Sequence, residues 1–139
     1  MIAVDTNILA RAIVKETDSD SGTRRQQERA RKLLTSGRDL FVPVTVVQEL
    51  EWVLRAVYGM PVAAVAALFD DLLAVENITV DRAAAVAQAV AGYRNGLDFS
   101  DALHLAQAGI CASLATFDAG FVKLANRLGL KPAVSAPTS

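Results

Sequence analysis

Short apolar runs alternate along this chain with longer segments of helical periodicity. Ile2–Asp5 reads as a short buried strand, and Thr6–Lys15 as a helix with Ile8, Leu9, Ala12 and Ile13 at helical spacing. Glu16–Gly22 is polar and rich in Gly, Ser and Asp, which predicts a loop. Thr23–Ser36 reads as a charged helix whose inner stripe is Ala30, Leu33 and Leu34, closed by Gly37. Leu40–Val44 is the second strand. Thr45 is the expected N-cap of a helix over Val46–Tyr58, which Gly59 ends. Pro61 starts the next helix, to about Val75, in the position that suits proline. Asn77–Val80 is a β-branched strand, and Asp81 caps a helix of alanines and valines ending near Asn95-Gly96. Asp98 opens another helix, to about Gly109. Ala112–Thr116 is the fourth strand, and Phe117–Leu128 a loop and short helix. Pro132–Val134 forms a last edge strand, where proline is tolerated, and 135–139 a loose, flexible tail.

Strands alternating with helices predict an α/β fold, a parallel sheet with helices on both faces and right-handed crossovers. A length of 139 residues suits a single domain, over residues 1–134. Apolar residues make up 53% of the chain and charged ones 21%, which describes a compact globule and excludes a disordered chain. A formal net charge of -1 neither demands nor forbids a nucleic-acid partner, because a basic footprint can be local. Cys111 is the only cysteine, so no intrachain disulfide can form, and a reducing, cytoplasmic setting is expected. Cys111 itself is expected to be a small buried hydrophobe. One Cys and one His cannot build the usual zinc site. No secretory signal is expected, since Asp5 breaks the first apolar run early. The longest apolar stretch, Met60 to Phe69, is too short to span a bilayer.

Four acids stand where an apolar run has ended or a helix begins: Asp5, Glu49, Asp101 and Asp118. In a parallel sheet the C-terminal strand ends share one edge, where the sites of open α/β folds form. Carboxylates gathered there repel. At ~4 Å and an effective dielectric near 20, a pair costs about 4 kcal/mol. A cation between them is the natural remedy, and hard oxygen ligands select Mg²⁺ or Mn²⁺.

Each acid also has a plain structural explanation. Asp5 can cap the next helix, with Thr6 and Asn7 as polar support. Glu49 can be a surface glutamate, although its neighbours Val46, Val47, Leu50, Val53 and Leu54 are core-like. That bland reading is stronger for Glu51, placed with Gln48 and Arg55 on the solvated side. Asp98 and Asp101 resemble a capping box, with His104 one turn on. Asp118 can make an Asx-turn beside Thr116.

Taken together, their order is specific. Asp after the first strand, Glu in the helix after the second, Asp101 opening Asp101-Ala102-Leu103-His104, and Thr116-Phe117-Asp118 after the next strand resemble the PIN-domain ribonucleases. The phrases VDTNIL, QELEWVLR, DFSDALHLA and TFDAGF are similar to VapC-type toxins of type II toxin–antitoxin pairs. The resemblance runs from Ile2 to about Val134. It implies a PIN-like three-layer α/β/α fold with a short central parallel sheet. It implies catalysis and metal binding by Asp5, Glu49, Asp101 and Asp118, with Thr116 in the family's Thr/Ser position and Asp98 as an added acid. It also implies an RNA substrate (tRNA or ribosomal RNA), a homodimer, and a cognate antitoxin through which alone DNA is bound.

Such a site suits hydrolysis of RNA phosphodiesters by one or two Mg²⁺ or Mn²⁺ ions. Clustered acids should have split pKa values without metal. Arg24, Arg25, Arg29, Arg31, Lys32 and Arg38 are the densest basic stretch, with Arg11 and Lys15 near it, and could form a phosphate-contacting rim or an ordinary solvated face. Trp52, Tyr58, Leu68 and Phe69 are candidates for dimer contacts or core. Three other readings compete. A non-catalytic PIN-like module would bind RNA or protein without cutting it. A receiver-like phospho-acceptor domain needs an acidic pair at the first strand, where Asp5 stands alone. A haloacid dehalogenase-type phosphatase needs a second acid where this chain has Asn7.

Overall fold

A computed structural model describes residues 1–15 and 20–138. Residues 16–19, most of the expected first loop, and Ser139 lie outside the described residues. The chain divides into two compact units, Met1–Ala83 and Ala84–Ser139.

The first unit contains β1 (Ile2–Ala3), α1 (Thr6–Ile13), α2 (Ser21–Leu34), β2 (Leu40–Val42), α3 (Val44–Trp52), a π-helical turn (Val53–Val57), α4 (Val62–Ala74) and β3 (Ile78–Val80). Its strands are parallel in the order β1-β2-β3, with Ile2 opposite Leu40 and Leu40 opposite Ile78. Leu40 and Val42 are wholly buried, as a central parallel strand requires, whereas Thr79 of the edge strand β3 is exposed. Leu9 of α1, Val47 and Leu50 of α3, Leu54, and Val65 and Phe69 of α4 complete its buried core.

The second unit contains nearly all of α5 (Ala83–Arg94), then α6 (Phe99–Gln107), β4 (Ser113–Ala115), α7 (Ala119–Arg127) and β5 (Ala133–Ser135). β4 and β5 pair in parallel, with Leu114 opposite Val134. Val86, Val90, Tyr93, Phe99, Leu103, Phe121 and Val134 are buried here. The Tyr93 and Phe99 rings meet edge to face, 5.3 Å between centroids at 80°.

The fold is therefore α/β with short parallel strands, and all five expected strands are present. Several boundaries differ for local reasons. Asp20 accepts from Thr23 N–H at 2.7 Å, so α2 begins at Ser21 and takes in Gly22, which composition placed in the loop. This bond holds the Asp20 carboxyl below the usual carboxylate range. Thr45 is not the cap of α3. The helix starts at Val44, because the Pro43 carbonyl accepts from Val46 and Val47 N–H. Asp81 does not cap α5. Its N–H donates to Val42 O at 2.8 Å, extending the ladder, and Arg82 then turns the chain at φ +53° before Ala83. Gly59 (φ +66°) sits just past the π-helical turn in the left-handed region that favours glycine. Ser135, assigned to the tail, belongs to β5. Cys111 is exposed, not buried, because it lies in the bend between α6 and β4 and not on an inward face. Among the described residues no helix is long and apolar enough to cross a membrane.

Candidate active site

In the first unit, Asp5 stands between the end of β1 and the start of α1. As N-cap of α1 it accepts from Thr6 N–H at 2.7 Å through Oδ1. Glu49 lies in the second turn of α3, the helix that follows β2. The two acids line one pocket of about 210 Å³, with Thr6, Asn7, Ala10, Arg11, Val53 and Tyr58 around it. Both are exposed. Thr6 is only 5% exposed, and its buried Oγ1 has no hydrogen-bond partner. Buried hydroxyls are normally satisfied, so this orphan beside Asp5 is unusual.

Glu51 reverses its expectation. It is 3% exposed, while Glu49 faces the pocket. Arg55, one turn on, donates Nε–H to Glu51 Oε2 at 2.7 Å and keeps its own side chain half-exposed. Pairing at i,i+4 lets a carboxylate be buried where an unpaired one would not be.

In the second unit, Asp98 caps α6, its Oδ2 accepting from Asp101 N–H at 3.1 Å. Asp118 caps α7, its Oδ1 accepting from Phe121 N–H at 3.0 Å. The Thr116 hydroxyl accepts from Asp118 N–H at 3.1 Å and fixes the turn that presents this acid. Asp101, half-buried in the first turn of α6, has its carboxyl raised above the ordinary carboxylate value. Burial is the larger cause, and the charges of Asp98 and Asp118 add to it, while His104 opposes them. Asp101 thus feels the negative charge of both Asp98 and Asp118. His104 is exposed and within electrostatic reach of Asp101.

The expected basic rim separates into different roles. Arg31 donates Nε–H to Ala12 O at 3.2 Å and an Nη2 hydrogen to Val14 O at 3.4 Å, which ties α2 to the end of α1. Arg24, Arg25 and Arg29 are exposed. Arg29 lines a larger cleft between α1 and α2, about 580 Å³, with Asn7, Ile8, Arg11, Gln26, Ala30 and Leu33. Of the expected dimer contacts, Phe69 is core at 1% exposure, and Trp52 is 55% exposed. Tyr58 instead accepts from Arg11 Nη1 at 3.2 Å.

The PIN domain family profile matches residues 2–127, nearly the whole chain and through both units. The chain belongs to the PIN domain family. PIN domains are in general nucleases that bind RNA and use divalent metals. No curated protein and no solved structure matches the chain.

The donor set can be tested against a divalent cation. Carboxylates, a threonine hydroxyl and an asparagine amide are hard oxygen donors of the kind Mg²⁺ and Mn²⁺ take. Among the described residues, however, no three His, Cys, Asp or Glu side chains form a group that could hold a metal ion. The acidic pocket of the first unit offers two carboxylates. That count fits Mg²⁺, which typically binds one or two carboxylates and fills its octahedron with water and substrate phosphate oxygens.

Arg11, Gln26 and Tyr58 were not among the expected site residues, though Arg11 was placed near the basic stretch. Arg11 had a signal, since Asn7 and Arg11 are i,i+4 and share a face of α1. Tyr58 had none, because the π-helical turn that sets its position leaves no mark on a 3.6-residue pattern.

Proposed function

We propose that this PIN domain is a divalent-metal-dependent endoribonuclease acting as the toxin of a toxin–antitoxin pair. The observation that carries the reading is the meeting of Asp5 and Glu49 on one pocket at the end of β1, in a chain matched by the family from residue 2 to residue 127. Asp5, Glu49, Asp101 and Asp118 are proposed to serve one reaction, hydrolysis of an RNA phosphodiester. A bound Mg²⁺ or Mn²⁺ would neutralise the phosphate and acidify a water for in-line attack. Asp5 and Glu49 would hold the ion in the first unit, with Asn7 and the Thr6 hydroxyl in support. In the second unit Asp101 and Asp118 would supply the remaining carboxylates, with Asp98 capping the helix that carries Asp101 and Thr116 fixing the turn from which Asp118 projects.

The toxin reading is supported by the phrases VDTNIL, QELEWVLR, DFSDALHLA and TFDAGF, by which this chain is similar to VapC-type toxins. It carries three further proposals: a tRNA or ribosomal RNA substrate, a homodimer to which the exposed Trp52 contributes, and an antitoxin that covers the site and alone contacts DNA. A second reading, a PIN module that binds RNA without cutting it, is favoured by one observation, the absence of a three-acid group among the described residues.

One experiment separates the two. Purified, antitoxin-free protein is incubated with total cellular RNA in Mg²⁺, in Mn²⁺ and in chelator, beside Asp5→Asn and Asp101→Asn. Discrete fragments that need metal and disappear in both variants are the expected result. RNA binding without cleavage under every condition would instead establish the binding module.

A further inference from the structure

The acidic pocket does not end at its acids. Asn7 and Arg11 line both that pocket and the larger cleft between α1 and α2, so the two spaces share a wall one helical turn long. We propose that this cleft is the binding track for a single strand of RNA, with Arg11 and Arg29 on its phosphates. The proposal rests on the nuclease reading above and names where its substrate lies.

Four features of the cleft suit that ligand. The first is cationic charge fixed in place. Arg11 Nε–H donates to Gln26 Oε1 at 3.2 Å and an Nη1 hydrogen to Tyr58 Oη at 3.2 Å, so the guanidinium is held at the junction of the two spaces. A guanidinium has five N–H donors, and those two bonds leave three for a phosphate. The second is the floor. Ile8 and Leu33 present apolar surface against which a flipped-out base can pack, while Asn7 and the Gln26 NH2 group remain available to base edges. The third is size. About 580 Å³ falls within the range of small-molecule sites, which spans roughly 300–1,000 Å³, and so is ample for a nucleotide. The fourth is continuity. A strand cut at the Asp5–Glu49 pocket must extend beyond it on at least one side, and Arg11 marks the side on which cations and apolar floor follow the acids.

The geometry also sorts the basic residues of α2. Arg29 lines the cleft, whereas Arg24 and Arg25 do not. Arg31 is engaged with the carbonyls of Ala12 and Val14. The cleft therefore assigns the phosphate-binding role within it to Arg11 and Arg29.

The test is fluorescence anisotropy with a short fluorescein-labelled single-stranded RNA of mixed sequence, in chelator so that nothing is cut, over a range of salt concentrations. The full chain is compared with Arg11→Gln, Arg29→Gln and, as controls on the same unit, Arg25→Gln and Arg38→Gln. Circular dichroism confirms that each variant is folded. Each phosphate contact on a single strand contributes about 0.7 to the slope of log affinity against log salt. Arg11→Gln and Arg29→Gln are expected to bind several-fold more weakly at low salt and to lose about 0.7 of slope each. The controls are expected to keep the full slope. Equal losses in all four variants would make the attraction a diffuse field and overturn the track. So would unchanged RNA slopes combined with Arg11- and Arg29-dependent capture of a labelled acidic peptide, which would assign the cleft to a protein partner. Failure of the nuclease reading looks different, since the slopes would then depend on Arg11 and Arg29 while total RNA stayed uncut in Mg²⁺ and Mn²⁺.

Discussion

Arg31 separates a structural arginine from a phosphate-binding one, and the structure sets the size of the effect. Its guanidinium reaches from α2 to the carbonyls of Ala12, at 3.2 Å, and Val14, at 3.4 Å. Both belong to the end of α1, whose last carbonyls have no intrahelical donor. A hydrogen bond from a charged donor contributes about 1.5–3 kcal/mol net. Arg31 is half-buried, so the lower end applies to the shorter bond, and the longer one adds little. A cation beside a helix C-terminus adds about 0.3–1 kcal/mol. Replacing Arg31 by Met, which keeps the apolar stem, should thus cost about 2 kcal/mol, roughly a thirtyfold change in the folding equilibrium. Arg31→Lys retains the charge without the fork and should recover about half of that. Urea unfolding followed by circular dichroism reads both. A loss below about 0.5 kcal/mol for Arg31→Met, the size of an ordinary surface change, would refute the tie between the helices. Arg31→Met should also keep the full salt slope of RNA binding, and losing it would place Arg31 among the phosphate contacts.

Further outcomes follow for Asp101, Thr6 and Cys111. In the metal-free protein, carbon-detected NMR should find Asp101 titrating above ordinary aspartates, and Asp98→Asn should bring it part of the way down, since burial remains. A carboxyl raised in the folded state binds its proton more tightly there than in the unfolded chain, so its ionised form costs stability near neutral pH and that cost fades as pH falls through the raised pKa. Asp101→Asn should accordingly stabilise the metal-free protein at neutral pH and confer less in acid, and an equal gain at both pH values would contradict the assignment. Thr6→Val removes a buried hydroxyl that has no partner, so it should leave unfolding stability unchanged or raise it by about 1 kcal/mol. Lost cleavage in that stable variant would show that the hydroxyl serves a ligand, and a clear destabilisation would show that it is satisfied in the fold. Cys111 should react with a thiol reagent in the folded state as fast as in urea, and marked protection would contradict its exposure.

The strands were legible because their residues answer to one demand. Leu40, Val42, Ile78 and Val80 are apolar for burial, and short runs of such residues between turn signals have few other readings. Helix starts were less legible, since Pro43 and Asp20 begin helices through a backbone carbonyl and a side chain that sequence pattern assigns to neighbouring positions. Glu49 and Glu51 show the limit more sharply. They lie two residues apart on one helix, and the inward one is paired with Arg55 a turn later, which a count of apolar neighbours does not weigh.

The acids themselves resisted a choice between capping and chemistry because the two uses do not exclude each other. Asp5, Asp98 and Asp118 each give one carboxylate oxygen to a backbone N–H at the start of a helix. An ionised carboxylate has a second oxygen and about four acceptor positions in all. The cap bond then fixes the direction in which the second oxygen is available, which is what a cation site needs of its ligands. A helix start at a strand end thus supplies the rigid frame and the carboxylate in one residue, and the sequence pattern for the two roles is the same. Asp101 and Glu49 cap no helix, and Glu49 lies farther from its helix start. It stands in the second turn of α3, caps nothing, and lines the same pocket as Asp5. Glu49 therefore has only its exposed position on the helix as a competing explanation, and Glu49→Gln is the variant in which a loss of cleavage could not be traced to a lost helix cap.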